Sequence, residues 1–280
     1  METAAAPPIA TAHLFEELDG LLLDVLRSLE PSDWDRPTVS PAWNVKQVAA
    51  HLLDTALRRL AFDRDGCLPP APDISSDREL VAFVNELNAQ GVAVFGRLSP
   101  VVLISLMEVA VAQLSQYLTS LNPFDRARFG VSWAGEAESW NWFDVAREFT
   151  ERWHHQQQIR LAVARPGILT PRLYRPVLEC FMRGLPHAYR DVAAPAGAAV
   201  EVCVDGESGG IWQLTRQAAG WTLTTGPNPG TLLSSVRIPQ EIAWRVFTKG
   251  ISMPDALRLA AIDGNRDVGR VALTIVSIVG

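Results

Sequence analysis

A carboxylate and an imidazole four residues apart on one helix form half of a divalent-metal site. The run Glu148-Phe149-Thr150-Glu151-Arg152-Trp153-His154-His155-Gln156-Gln157-Gln158-Ile159-Arg160 contains such a pair in Glu151 and His155. Side chains three and four positions apart share a helix face, so Glu151 and His155 project side by side, with Asp144, Glu148 and Gln158 extending the same line. A further ligand has to come from a neighbouring helix. His51, in Trp43-Asn44-Val45-Lys46-Gln47-Val48-Ala49-Ala50-His51-Leu52, is the best placed of the remaining histidines. Zinc takes about four ligands, and a catalytic centre leaves one position to water or substrate. His51, Glu151 and His155 supply three. With one carboxylate against a dication the centre stays positive, which favours an anion or the conjugate base of a thiol or water.

Ordinary readings compete with this one. A histidine on an apolar helix is commonly a hydrogen-bonded core residue, and an isolated Glu-x-x-x-His is commonly a surface pair. Glu151 can pair with His154 at i+3 instead, and Glu148, seven residues before His155, is a rival carboxylate. His154 sits about 100° around the helix from His155, so the two are not expected to face one metal.

Two long helices must hold these groups. From Thr11 to Leu29, leucines and Val25 recur with a helical period; Pro31 ends that helix, and Pro37 and Pro41 bound a loop. A second helix is expected from about Trp43 to about Arg64, with His51 near its middle. After the proline-rich break of Gly66 to Ser76, helices follow over Asp77–Leu98 and Pro100–Leu121. Gly91 weakens the first of these by only about 1 kcal/mol relative to Ala. The ligand helix runs from about Asn141 to Val163, stopped by Arg165-Pro166-Gly167. Pro171 to Ala193 reads as one more helix, and 193–199 as a small-residue linker. The period then changes to two. Val200, Val202 and Val204, then Ile211–Thr215 and Trp221–Thr224, mark strands; helices at Pro239–Phe247 and Pro254–Ala261 and a last strand at Val271–Val279 complete the chain. The expected fold class is α+β. A bundle of about four long helices occupies 1–168, a connecting helix and linker 169–199, and a small mixed α/β domain 200–280.

Composition narrows the partners. A hydrophobic fraction of 48% with 20% charged residues supports packed cores, and a net charge of −6 gives no basic footprint for nucleic acid or an anionic membrane. Cys67, Cys180 and Cys203 show no Cys-x-x-Cys spacing, which argues against a disulfide framework and an all-thiolate zinc site. The N-terminal residues lack the pattern of a signal peptide. The longest apolar stretch, Val101 to Leu114, is interrupted by Ser105, Glu108 and Gln113 and reads as too short for a membrane span. The cytoplasm is the expected compartment. Cys67 has no activating cation beside it and reads as structural. The turn Asp205 to Gly210 lacks the helix and lysine of a phosphate loop. Most of the nine tryptophans are expected in packing, with Trp133, Trp140 and Trp142 the ones expected to cover a metal.

Thr38-x-Ser40-Pro41 followed by Trp43-x-Val45-x-x-Val48-x-x-His51-Leu52 resembles the second-helix signature of the DinB-like metal-binding bundles, as does His155-x-x-Gln158-Ile159. The Glu-x-x-x-His form of the ligand helix is similar to the branch called mycothiol-dependent maleylpyruvate isomerases, and the resemblance covers nearly the whole chain. It implies a DinB-like four-helix bundle followed by a sterol-carrier-like α/β domain, with His51, Glu151 and His155 as zinc ligands. It also implies a low-molecular-weight thiol such as mycothiol, and a basic residue from the second domain, among Arg216, Arg237, Arg245, Arg258, Arg266 and Arg270. The chain departs from that branch at Gln158, where isomerase-type relatives often carry Asp.

Three functions follow from such a site. The first is a zinc-dependent isomerase or transferase in which a thiol attacks a small electrophile. The second is a hydrolase using metal-activated hydroxide, and the third a non-catalytic module with a closed structural metal. Nickel or another divalent ion suits the same ligands. A small-molecule partner is expected, as monomer or homodimer.

Overall fold

The computed structural model describes residues 6–70, 72–224 and 230–276. Its contacts divide the chain into a helical unit, Ala10–Phe129 with Trp140–Ile168, and a strand-bearing unit built from 6–9, Gly130–Ser139 and 169–276.

In the helical unit, α1 (Phe15–Arg27) buries Phe15, Leu18, Leu22, Val25 and Leu26 along one stripe. The next helix, α2 (Val45–Arg59), starts at a reciprocal cap: Asn44 Oδ1 accepts the Gln47 N–H and Gln47 Oε1 accepts the Asn44 N–H, each at 2.9 Å. That cap places the start two residues later than expected, leaving Trp43 outside the helix. The far end, expected to be plain helix to Arg64, winds into a π turn over Leu60–Arg64. Beyond it come α3 (Asp77–Phe95), α4 (Pro100–Ser120) and α5 (Asn141–Ala162). The helices α1 and α2 both pack on α4 and α5, while α3 lies against α2.

The 21-residue α4 is long and apolar enough to cross a membrane by length and composition, which corrects the shorter estimate from Val101–Leu114. Leu103, Met107, Ala110, Val111, Leu114 and Leu118 are its buried residues. On α5, polar as well as apolar side chains are buried over almost the whole length. Phe149 meets Phe15 edge-on at 5.4 Å between ring centroids. Arg152 donates from Nε at 2.9 Å to Asp19 Oδ1, and the Trp153 indole N–H donates to the Ile168 carbonyl at 3.0 Å.

In the strand-bearing unit, the single helix expected over 171–193 is two, α6 (Pro171–Met182) and the short α7 (Leu185–Ala188), separated at Arg183-Gly184. The five strands are β1 (Ala199–Asp205), β2 (Gly210–Arg216), β3 (Trp221–Thr224), β4 (Leu232–Pro239) and β5 (Ala261–Gly264), in the order β3-β2-β1-β4-β5. Among the described residues only the β1–β4 pairing is parallel. Helices α8 (Gln240–Phe247), α9 (Met253–Leu259) and α10 (Arg266–Gly269) complete the unit.

The expected strand at Val271–Val279 is not formed where the chain is described, because Arg270–Thr274 is a 3₁₀ turn; residues 277–279 lie outside the described residues. Asn265 fixes this ending by accepting the N–H groups of Asp267 and Val268, which starts α10 directly after β5.

Candidate metal centre

Three local devices aim the ligand-bearing helices. Thr38 Oγ1 donates to the Trp43 carbonyl at 2.8 Å and accepts the Ser40 N–H at 3.1 Å, so the Thr-x-Ser-Pro turn holds Trp43 just ahead of α2. The Trp43 ring then stands over both imidazoles of interest, with its centroid 4.7 Å from that of His51 and 6.1 Å from that of His155. The third device lies toward the opposite end of α2. There Arg59 reaches Asp144 near the start of α5, and Arg147 donates from Nη2 to the same carboxylate at 2.8 Å. Since Arg59 meets Asp144 while His51 meets His155, α2 and α5 run antiparallel.

Burial raises the Asp144 pKa on its own, but the adjacent Arg147 and Arg59 outweigh it and hold the carboxyl below its ordinary value. Glu148 lies 3.5 Å from Arg147, and its field also acts on Arg59. The rival carboxylate is therefore committed to the arginine cluster. Glu151 instead places Oε2 3.5 Å from His155 Nε2.

The His51 and His155 rings meet edge to face with centroids 4.5 Å apart. His51 Nδ1 is buried with no hydrogen-bond partner. Burial, reinforced by His155, Arg58, His154 and Arg152, holds the His51 pKa well below its ordinary value. The imidazole is thus neutral, the form that binds metals. An orphaned buried nitrogen is costly unless something accepts its lone pair or its proton. The donors are two imidazoles and a carboxylate, a set that suits zinc and other divalent ions of the first transition row. On these grounds the residues fit a metal.

His154 comes closer than its position around the helix suggests. One ligand atom from each of Glu151, His154 and His155 lies within 4.8 Å of the others, and the two histidine rings are 4.4 Å apart. Gln158 lies between them, with Oε1 3.0 Å from His155 Nδ1 and Nε2 2.9 Å from His154 Nε2. No spacing in the sequence marks Trp43 as a cover or Arg59 as an anchor, whereas Gln158, four residues after His154 and three after His155, stands at helical spacing to both. Within the arginine cluster the Asp144–Arg147 spacing and the Arg59–Asp63 spacing, paired at 3.0 Å, are visible as patterns. Trp140 is half exposed and Trp142 stacks on Phe143 at 5.2 Å. Among the arginines of the strand-bearing unit, Arg237 pairs with Asp205 at 2.6 Å and Arg258 with Asp255 at 3.2 Å.

Fold and site together define a helical bundle offering imidazole and carboxylate donors from two antiparallel helices, joined in one chain to a five-stranded mixed sheet. The family model for the mycothiol maleylpyruvate isomerase N-terminal domain matches residues 15–160, more than half of the chain, and the chain belongs to that family. Among solved structures, the fold is similar to that of a histidine-to-alanine mutant of the mycothiol-dependent maleylpyruvate isomerase. The TM-score is 0.50 at 14% identity, over 84% of this chain and 86% of that one. The crystal structure of the mycothiol-dependent maleylpyruvate isomerase matches with a TM-score of 0.47 at the same identity and coverage. Comparison with curated proteins gives no match.

Proposed function

We propose that this chain is a metal-dependent enzyme that uses a low-molecular-weight thiol, such as mycothiol, to isomerise or transfer onto a small electrophilic substrate. His51, Glu151 and His155 are the proposed ligands and zinc the proposed metal. The observation that carries this reading is the meeting of two buried imidazoles from separate helices, 4.5 Å apart, with Glu151 Oε2 3.5 Å from one of them. Membership of a family named for a mycothiol-dependent isomerase supports the thiol and the reaction class.

A metal held there supplies Lewis acidity, which lowers the pKa of a thiol and makes it nucleophilic near neutral pH. The chain's own residues do the rest. The low pKa of His51 keeps that donor unprotonated at neutral pH, so no proton has to leave it before a cation binds. Glu151 contributes the single negative charge, leaving the centre cationic toward a thiolate or a carboxylated substrate. Trp43 shields the imidazoles from bulk water on its side and strengthens local electrostatics. The division into a metal-bearing domain over 1–168, a connector over 169–199 and a sterol-carrier-like domain over 200–280 is part of the same proposal. It is supported by a five-stranded sheet whose β1 begins at Ala199.

The test is elemental analysis of the purified protein together with assays of maleylpyruvate isomerisation with and without added thiol. One equivalent of zinc and thiol-dependent turnover are expected. Turnover undiminished after all small thiols are removed overturns the reading.

A further inference from the structure

The geometry points to Gln158 as the positioning residue that selects the ligand between two adjacent histidines, turning His155 Nε2 toward the metal and withholding His154. This rests on the reading of His51, Glu151 and His155 as a metal centre.

An amide has two chemically distinct ends, and here each end is used on a different ring. Gln158 Oε1 is 3.0 Å from His155 Nδ1. A carbonyl oxygen only accepts, so Nδ1 carries the proton and the lone pair of a neutral His155 is on Nε2. That nitrogen is the one facing Glu151, at 3.5 Å. The other end, Gln158 Nε2, is 2.9 Å from His154 Nε2 and only donates. The His154 lone pair is therefore taken up by an N–H. One side chain thus frees a ligand nitrogen on one histidine and occupies it on the next.

All three side chains are buried, with Gln158 at 5%, His154 at 2% and His155 at 8% relative exposure, so each of these bonds counts for more than it would at the surface. Turning the amide over would require both imidazoles to exchange tautomers, placing the His155 proton on Nε2, so the orientation of one amide and the choice of ligand nitrogen are set together. The arrangement also sets the charge. A carboxylate at position 158 would push electron density onto His155 and cancel one more unit of the metal's charge. The neutral amide orients the ring without doing so, keeping the centre one unit more positive and better suited to an anionic thiol or substrate.

The test uses the full chain labelled with 15N-histidine, first metal-free and then titrated with Co(II) and Zn(II). In the metal-free protein, long-range 1H–15N spectra are expected to show His155 as the Nδ1–H tautomer with an unprotonated Nε2. Gln158→Ala should mix the His155 tautomers and weaken metal binding about 10- to 100-fold, the range typical of removing an outer-shell partner. Gln158→Glu, which keeps an acceptor at Nδ1, should restore affinity to near the parent value while shifting the Co(II) visible bands, a change that mere loss of packing does not produce.

A parent His155 protonated at Nε2, or affinity within twofold of the parent in Gln158→Ala, overturns the assignment. If Gln158→Ala does not fold, the parent tautomer and Gln158→Glu still decide it. Failure of every form, parent included, to bind metal sinks the metal reading instead, and the metal-free tautomer still tests the role of Gln158 by itself.

Discussion

Two triads are open to a metal in this bundle, one through His51 and one through His154, and replacing each by alanine separates them. A metal that binds only the folded chain stabilises it by RT ln(1 + [M]/Kd), about 2.7 kcal/mol at one hundred times Kd and about 4.1 kcal/mol at one thousand times. For a chain of this size that is a rise in Tm of roughly 5–7 °C. The metal-free effect of His51→Ala is smaller because two contributions oppose each other. Removing the ring takes away its contacts with Trp43 at 4.7 Å and His155 at 4.5 Å, each about 0.5–1.5 kcal/mol, and leaves some cavity. It also removes the buried, partnerless Nδ1, whose desolvation costs about 1–3 kcal/mol. Metal-free His51→Ala should therefore lie within about 2 kcal/mol of the parent, while its metal-linked rise in Tm disappears. His154→Ala should keep that rise. The assay is thermal unfolding of chelator-treated protein at neutral pH, with and without Zn(II), for the parent and both variants. A full metal-linked rise in His51→Ala together with its loss in His154→Ala would assign the ion to Glu151, His154 and His155 and refute the reasoning.

The metal-free protein should also lose stability as pH falls from 7 to 5. His51 and His154 are both held well below their ordinary values, chiefly by burial, so below about pH 6.5 the unfolded chain binds protons that the folded one refuses. Urea midpoints at pH 7, 6 and 5 measure this, and midpoints that hold steady or rise contradict it. Asp144→Ala should cost about 1–3 kcal/mol, because it leaves Arg59, whose side chain is 5% exposed, with Asp63 at 3.0 Å as its remaining carboxylate and leaves Arg147 with Glu148 at 3.5 Å. A loss under 1 kcal/mol in urea denaturation would show that the cluster is not what joins α2 to α5. Gly91→Ala gains about 1 kcal/mol of helix propensity. The new Cβ, however, would sit 2.2 Å from the Asp54 carboxyl, which Arg58 holds at 2.8 Å, so a net loss of about 1–2 kcal/mol is expected and a net gain refutes the contact.

The helices were legible wherever their apolar stripe was continuous. In α1, Leu18, Leu22, Val25 and Leu26 are buried as the period requires. Legibility failed where a polar residue takes a core position or a β-branched run is recruited to a turn. In β4, Ser234 is 1% exposed between Leu233 and Ser235, and its hydroxyl donates to the Asp263 carbonyl at 3.0 Å. A serine on the buried face breaks the alternation that identifies a strand. Over 271–276 the sequence reads as strand-forming, yet the chain has just left β5 through the Asn265 cap. Gly269 is packed so tightly that a Cβ there would lie 2.4 Å from Ser234 Oγ. Tertiary contact overrides propensity at this point.

The site divides in the same way. Glu151 and His155 were visible because their relation belongs to one helix and follows from 3.6 residues per turn. His51 depends on where α2 crosses α5, and no spacing within either helix encodes that. The register is set by Arg59 and Asp144, which look in sequence like ordinary charges near the end of one helix and the start of another. Buried together, they resist sliding, since moving either helix by a turn, about 5.4 Å, would break the contact between the helices and leave Arg59 only with Asp63 and Asp144 only with Arg147, each on its own side. The same registry that satisfies Arg59 brings the two imidazoles to 4.5 Å. The meeting of the histidines is thus specified at a position that does no chemistry, and a change at Asp144 should be felt in metal affinity as well as in stability.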